Sequence, residues 1–153
     1  MDLILWRHAE AHDAEGDSED LDRALTTRGE RQAARMAHWL NQHLPATTRV
    51  LASPARRCQQ TASALERRFK TVAQLAPGAD VAALLSAARW PDAKEPVLVV
   101  GHQPTLGLTA AYLLAGVAQP WSVKKGAVWW LRRRDRVGDD QTVLVTVRGP
   151  EGL

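Results

Sequence analysis

The chain has little of what covalent cross-links and membrane insertion require. It contains a single cysteine, Cys58, among 153 residues, which excludes an intrachain disulfide and a cysteine-based zinc site. No apolar run approaches the roughly 20 residues that a membrane-spanning helix needs. The apolar run after Met1 and Asp2 is also too short for the core of a signal peptide. We therefore expect a soluble cytoplasmic protein without a membrane partner.

The charge balance is nearly even and excludes little by itself. The sequence has 20 Lys and Arg against 17 Asp and Glu, a net charge of +3, which does not identify a nucleic-acid-binding protein. Hydrophobic residues make up 45% and charged residues 24%, so a disordered, collagen-like or coiled-coil chain is excluded. The length predicts one domain over residues 1–153. The basic run Arg132–Arg136 is predicted to lie at a hairpin turn, where a solvated edge is favoured over a nucleic-acid interface.

Short apolar runs alternate with helical patterns along the chain. This order, ending in two strands around a polar turn, predicts a three-layer α/β/α fold with a mostly parallel central sheet and late antiparallel strands. Pro96–Val100 is apolar on both faces and is predicted to be a central strand. The predicted strands are 3–6, 49–52, 71–75, 96–100, 127–132 and 142–147, with a polar loop at 13–23.

Capping signals place the predicted helices. Thr27 and Glu30 fit a capping box for a helix over 28–43, and Ser53-Pro54 offers an N-cap and a first-turn proline for the next helix. Asp80 is a candidate cap for a short helix ending at Ala88. A fourth helix is predicted from Gln103-Pro104 to about Ala115.

Cationic and imidazole side chains follow three of the predicted strands. The first strand ends at Arg7-His8, the second leads to Arg56-Arg57 in the first turn of a helix, and the central strand ends at Gly101-His102. Any of these pairs alone is typical of a surface pair, a solvated helix face or a capping turn. Together, at the ligand-binding end of an α/β sheet, they favour a pocket for a phosphoryl group, which arginine binds bidentately.

Four motifs, in order along the chain, resemble those of the histidine phosphatase superfamily, which also contains the phosphoglycerate mutases. They are Arg7-His8, Leu25-Thr26-Thr27-Arg28-Gly29, the segment from Ser53 through Arg57 to Gln60-Thr61, and Val99-Val100-Gly101-His102. The second arginine of the pair, Arg57, takes the place of the motif's arginine. The short length and Leu75-Ala76-Pro77 make the chain most similar to the SixA-type phosphohistidine phosphatases.

The resemblance implies a phosphoglycerate mutase-like fold and a covalent mechanism. His8 would attack phosphorus and become phosphohistidine, while Arg7, Arg57 and His102 hold the phosphoryl oxygens, with Gln103 among the substrate-binding residues. Neutral imidazole is a competent nucleophile, and two guanidiniums supply the charge, so neither a metal nor another cofactor is expected. The implied partner is a phosphohistidine protein of a phosphorelay or phosphotransferase system, and we expect a monomer that binds no nucleic acid.

One position departs from the mutase-like pattern. Pro77 stands where those relatives carry a glutamate that donates a proton to the leaving group, and Asp80 is the nearby alternative acid. A missing acid favours a phosphoramidate substrate over an alkyl phosphate. A small-molecule phosphomonoesterase, a non-catalytic phosphate-binding module and a nucleic-acid-binding protein remain alternatives. Cys58 lacks the arginine six residues later that a cysteine phosphatase needs, and is predicted to be a core residue.

Overall fold

A computed structural model describes residues 1–14, 19–136 and 139–152. The strands are β1 (Asp2–Arg7), β2 (Arg49–Ala52), β3 (Lys70–Thr71), β4 (Val97–Gly101), β5 (Val128–Arg136) and β6 (Asp139–Arg148). The helices are α1 (Thr27–His43), α2 (Arg56–Ser63), α3 (Val81–Ala88) and α4 (Thr105–Ala115). Single turns of 3-10 helix occur at Asp20–Asp22, Ala73–Leu75 and Pro150–Gly152. Among these residues, no helix is both long enough and apolar enough to cross a membrane.

The six strands form one sheet in the order β3-β2-β4-β1-β5-β6. The first four strands are parallel to one another, through the pairs β3–β2, β2–β4 and β4–β1. β5 runs antiparallel to β1, and β6 runs antiparallel to β5. Every residue of β4 is buried, as expected for a strand covered on both faces. The predicted α/β class, the mostly parallel sheet and the central position of this strand are therefore confirmed.

Alternation along the strands sends apolar side chains into two cores, one on each face of the sheet. Ile4 and Trp6 pack with α1 and α2 on one face, while Leu3 and Leu5 pack with α3 and α4 on the other. Cys58 is fully buried in the first core, which confirms the prediction that it is a core residue. These two layers of helices complete the three-layer arrangement.

Two predicted helix caps are wrong. Thr26, not Thr27, caps α1, because its hydroxyl oxygen accepts a hydrogen bond from the backbone N–H of Gly29 at 2.9 Å. Ser53 does not cap α2, which begins at Arg56 after the cap residue Ala55. Asp80 caps α3 as predicted, accepting from the backbone N–H of Ala83 at 2.8 Å.

The last hairpin is longer than its pattern predicts. Arg132–Arg136 lies within β5 instead of at the turn, and residues 137–138 between the strands lie outside the described residues, as do residues 15–18 of the predicted loop. Arg132 makes an ion pair with Asp2 at 2.8 Å, which ties the charged half of the hairpin to β1. Polar residues thus continue the antiparallel pairing of β5 with β6 beyond the apolar segment.

Of the two adjacent tryptophans of β5, Trp130 is buried and Trp129 is half-buried.

We predict that Gly29→Ala destabilises the fold. An added methyl group at residue 29 would overlap the backbone carbonyl of Glu10, and backbone on both sides prevents relief by a rotamer change. Overpacking of this kind typically costs about 1–3 kcal/mol. Urea denaturation should therefore show a lowered midpoint. Gly149→Ala, whose methyl group would meet no atom within 4 Å, is the control, and equal midpoints for the two variants would contradict the prediction.

Candidate active site

The carboxyl ends of β1 and β4 form the floor of a small pocket. The parallel register pairs Arg7 with Gly101, and the backbone N–H of His8 donates to the carbonyl of Gly101 at 3.1 Å, so His8 and His102 emerge side by side. Their ring centroids are 5.3 Å apart. The pocket has a volume of about 230 Å³ and is lined by Arg7, His8, Ala11, Arg23, Arg57, Pro77, His102, Gln103 and Lys125.

His8 is held as a neutral ring with one free nitrogen. Its Nδ1 lies 2.8 Å from the carbonyl oxygen of Ala9. Because a carbonyl oxygen only accepts, the ring proton is on Nδ1 and Nε2 keeps its lone pair. Burial, together with the positive charges of Arg57, Arg7 and Arg23, lowers the pKa of His8 from 6.5 to about 4, against the opposing effect of the Ala9 hydrogen bond. At neutral pH the ring therefore has the free lone pair that a nucleophile needs.

Arg57 is buried, although it carries a charge, and Asp20 holds the far edge of its guanidinium. Arg57 Nη1 donates to the backbone carbonyl of Asp20 at 2.8 Å, and Nη2 donates to the Asp20 carboxylate at 3.1 Å. Only 3% of Arg57 is exposed, whereas the neighbouring Arg56 is exposed. The structure therefore places Arg57 in the pocket and Arg56 outside it.

Two arginine side chains of the pocket each have a buried nitrogen without a hydrogen-bond partner among the described residues. Arg7 Nη1 donates to the carbonyl of Val123 at 2.9 Å, but the Nε atoms of Arg7 and of Arg57 are buried without a hydrogen-bond partner among the described residues. Leaving a buried donor unpaired is costly. An anion with several oxygens would satisfy both donors, which is what a phosphoryl group offers.

His102 is anchored from behind by Ser53. Arg57 Nη2 lies 3.3 Å from His102 Nδ1, and since a guanidinium only donates, the ring proton of His102 is on Nε2. That nitrogen donates to the Ser53 hydroxyl at 2.7 Å. Burial, together with the charges of Arg57 and His8, lowers the pKa of His102 from 6.5 to about 3. Burial also raises the pKa of the adjacent Cys58 to about 12, so its thiol is not a nucleophile.

Three residues of the site were missed by sequence reasoning. Asp20 and Arg23 lie in the predicted polar loop, and their mutual ion pair at 3.0 Å has no signature in the sequence. Ser53 fits the pattern of a helix cap, although the family-like motif that begins with it is a signal that could have placed it in the site.

Gln103 lines the pocket, but its side-chain amide donates to the carbonyl of Trp121 and accepts from the backbone N–H of Gly107, both at 2.7 Å. Its contact with substrate stays a prediction.

The candidate proton donor is occupied elsewhere. Asp80 is exposed and caps α3, and it is not among the residues lining the pocket, whereas Pro77 is. The lining residues that the structure describes include no carboxylate. Nor do three His, Cys, Asp or Glu side chains gather as metal ligands anywhere in the described parts of the chain. The donor set of this pocket thus suits an oxyanion.

We predict that the free energy of unfolding decreases as the pH falls from about 6.5 towards 4. In this window the unfolded chain binds protons on His8 and His102, while both rings stay neutral in the folded chain because their pKa values are depressed to about 4 and about 3. Stability therefore rises with pH across the window. Urea denaturation at several pH values measures the slope.

His8→Gln should flatten this slope, because one of the two depressed histidines is removed. His38→Gln is the control, since His38 is exposed on α1 and its replacement should leave the slope as in the wild-type protein. Identical slopes for His8→Gln and the wild-type protein would contradict the assignment of the low pKa to His8.

Comparison with known proteins places this pocket in a family. Residues 3–80 match the model of the histidine phosphatase superfamily (branch 1). The chain is 34% identical over 130 residues to the phosphohistidine phosphatase SixA of Escherichia coli K12, covering 78% of each chain.

Solved structures agree. A structure from Nakamurella multipartitia assigned as SixA superposes with a TM-score of 0.81 at 31% identity, covering 97% of this chain and 95% of that one. A SixA structure with bound tungstate gives a TM-score of 0.77 at 28% identity, covering 98% and 97%. The chain belongs to the histidine phosphatase superfamily and is similar to its SixA-type members.

Proposed function

We propose that the protein is a phosphohistidine phosphatase, which acts on a protein of a phosphorelay or phosphotransferase system through a phosphorylated His8 intermediate. One observation carries the proposal: the unprotonated Nε2 of His8 shares a small pocket with the half-buried Arg7 and the buried Arg57, whose Nε atoms are buried without a hydrogen-bond partner among the described residues. Two relatives support it, namely the phosphohistidine phosphatase of E. coli and the SixA structure that binds tungstate, a tetrahedral oxyanion.

In the first step, His8 Nε2 attacks phosphorus in line with the bond that breaks. The new bond joins Nε2 to phosphorus, and the bond from phosphorus to the substrate's imidazole nitrogen breaks. Arg7 and Arg57 bind the equatorial oxygens through their free Nε donors, which places positive charge where phosphoryl transfer needs it. These guanidiniums are the reason we propose activity without a divalent metal.

The incoming phosphoryl group changes the protonation of His102. The pKa of this ring is lowered first by burial and then by the charges of Arg57 and Arg7. The negative charge of the phosphoryl group opposes the effect of the arginines, so binding favours the imidazolium form, which takes its proton from solvent. His102 Nδ1 then donates to a phosphoryl oxygen in place of accepting from Arg57. In the second step, a water oxygen attacks phosphorus, the bond from phosphorus to Nε2 breaks, and phosphate and neutral His8 are restored.

The leaving group follows from the groups present. An alkoxide must be protonated to leave, and a general acid typically contributes about 10²–10⁴-fold. Asp80, the carboxylate expected near that position, is engaged in capping α3. The imidazole of a phosphohistidine whose ring is protonated leaves as a neutral molecule, so it depends less on an acid. This difference favours P–N over P–O substrates.

We predict that the wild-type protein, assayed in EDTA, hydrolyses a histidine-phosphorylated protein and free phosphohistidine with kcat/KM at least about tenfold above that for an unactivated alkyl phosphate. His8→Ala should lose this activity while keeping the circular dichroism spectrum of the folded chain. Rapid quenching of the wild-type reaction with a ³²P-labelled substrate should trap acid-labile label that His8→Ala does not retain.

Three results would contradict parts of this proposal separately. Undiminished turnover by His8→Ala would overturn the covalent mechanism. Loss of activity in EDTA with recovery in magnesium or zinc would overturn the role given to the arginines. An equal or higher kcat/KM on the alkyl phosphate would favour the small-molecule phosphomonoesterase and reopen the search for an acid.

We further predict that Arg57→Ala lowers kcat by about 10²–10³-fold, the usual effect of removing a preorganised charge contact. Arg56→Ala is the matched control, because Arg56 is the neighbouring residue of the same helix turn but is exposed. It should change kcat by less than about twofold, as surface substitutions do. Equal losses of kcat in the two variants would mean that Arg57 acts only through long-range electrostatic attraction and not by direct contact with the phosphoryl group.

A further inference from the structure

A second cavity opens beside the candidate active site and shares a wall with it. It has a volume of about 680 Å³, and both Arg7 and Lys125 line it as well as the catalytic pocket. We call it the side groove. Its other lining residues are Glu10, Arg28, Gln32, Ser122, Lys124, Ala127, Trp129, Val147, Gly149, Pro150, Glu151 and Gly152.

The catalytic pocket is too small for a protein substrate to enter. About 230 Å³ accommodates a phosphoryl group with an imidazole ring, but the polypeptide that carries the phosphohistidine must stay outside. That polypeptide therefore rests on the surface around the pocket mouth. The side groove is the part of this surface that continues directly from the mouth, through Arg7 and Lys125.

The side groove has the apolar character of a protein-binding surface. Trp129 is half-buried and packs against Trp121, with ring centroids 6.2 Å apart. Val147, which pairs with Trp129 in the sheet, is 45% exposed on the outer strand β6. Tryptophan is enriched at the centres of protein interfaces, where a partner buries its ring.

Charge in the side groove is uneven. Arg28 is compensated, because it contacts Glu151 at 3.2 Å and Glu10 at 3.8 Å. Lys124 and Lys125 are exposed and make no ion pair within the described residues. These two lysines therefore carry positive charge that no ion pair among the described residues offsets, and Lys125 carries it at the catalytic pocket itself. An acidic partner surface complements it.

We propose that the side groove is the docking surface for the phosphohistidine protein, and that it selects a partner with acidic residues beside its phosphohistidine. Lys124 and Lys125 bind those carboxylates, and the apolar strip of Trp129 and Val147 covers an apolar side chain of the partner. The proposal rests on the proposed function and adds the surface and the charge of the substrate protein. Lys124 is the residue that tests it, since Lys125 also lines the catalytic pocket.

The test compares Lys124→Glu with a control that changes the charge equally. Lys94→Glu serves as the control, because Lys94 is exposed and precedes β4, at the opposite end of the sheet from the pocket. Each protein is assayed on three substrates: an acidic phosphotransfer protein phosphorylated on histidine, a histidine-phosphorylated histone, and free phosphohistidine. Free phosphohistidine reports the chemistry without any docking.

We expect Lys124→Glu to lower kcat/KM for the acidic phosphoprotein by about tenfold, mainly through KM, and to leave free phosphohistidine unchanged. On the basic histone the same variant should be at least as active as the wild-type protein. Lys94→Glu should leave kcat/KM unchanged for all three substrates.

Added salt should lower the wild-type kcat/KM for the acidic phosphoprotein but have little effect on kcat/KM for free phosphohistidine, because screening weakens exposed charge pairs. Val147→Asp should lower kcat/KM for both phosphoproteins and leave kcat/KM for free phosphohistidine unchanged.

The results separate the two proposals. If the wild-type protein hydrolyses phosphohistidine but Lys124→Glu and Lys94→Glu behave alike on the acidic phosphoprotein, the docking surface is wrong and the proposed function stands. If Lys124→Glu lowers the activity on free phosphohistidine as much as on the phosphoproteins, Lys124 acts on the chemistry and docking is likewise overturned. If the wild-type protein hydrolyses none of the three substrates, both proposals fail.

Discussion

The crowding of a buried guanidinium, Arg57, and a half-buried one, Arg7, beside two buried imidazoles is the constraint to which the rest of the site responds. Parallel pairing of β1 with β4 fixes the relative positions of the two histidines. Arg7 and Gly101, the last residues of these strands, are register partners, and each is followed by a histidine. Burial, with the nearby arginine charges, lowers the pKa of both rings, so they stay neutral and add no positive charge to that of the arginines. Asp20 supplies the negative charge at the outer edge of Arg57. The sequence positions of His8 and His102 therefore determine their protonation as well as their proximity.

The features that followed from the sequence are those set by local pattern and by parallel topology. A run such as Val97–Val100, apolar on both faces, has few places other than the middle of a covered sheet. Once strands alternate with helices, their carboxyl ends meet at one edge, which brings Arg7, His8, Arg57 and His102 together without knowledge of any distance. The helical turn of about 100° per residue then separates Arg56 from Arg57, and the structure buries the second of the two.

The features that did not follow are contacts between distant segments. Asp20 reaches Arg57 across 37 residues of sequence, from a one-turn helix within a polar stretch whose composition is typical of any surface loop. Ser53 looked like a helix cap because its local pattern fits one, but the buried imidazole of His102 is the stronger competitor for its hydroxyl. The prediction of the hairpin turn is wrong for a different reason. Arg132–Arg136 is polar enough for a turn, yet the ion pair with Asp2 and the antiparallel ladder extend the strand through it.

The contacts of Arg57 explain how the free site stays ready for its ligand. Asp20 binds Nη1 and Nη2 at the end of the guanidinium and leaves Nε without a partner. Nε and the adjacent Nη2 form the side edge of the guanidinium, which matches two oxygens of a tetrahedral anion once the anion replaces the contact of Nη2 with His102. Asp20 is 56% exposed at its side chain, so water screens its attraction for Arg57, and it does not neutralise the site as a buried carboxylate would. The aspartate thus orients the arginine while the pocket keeps the positive charge that a phosphoryl group must meet.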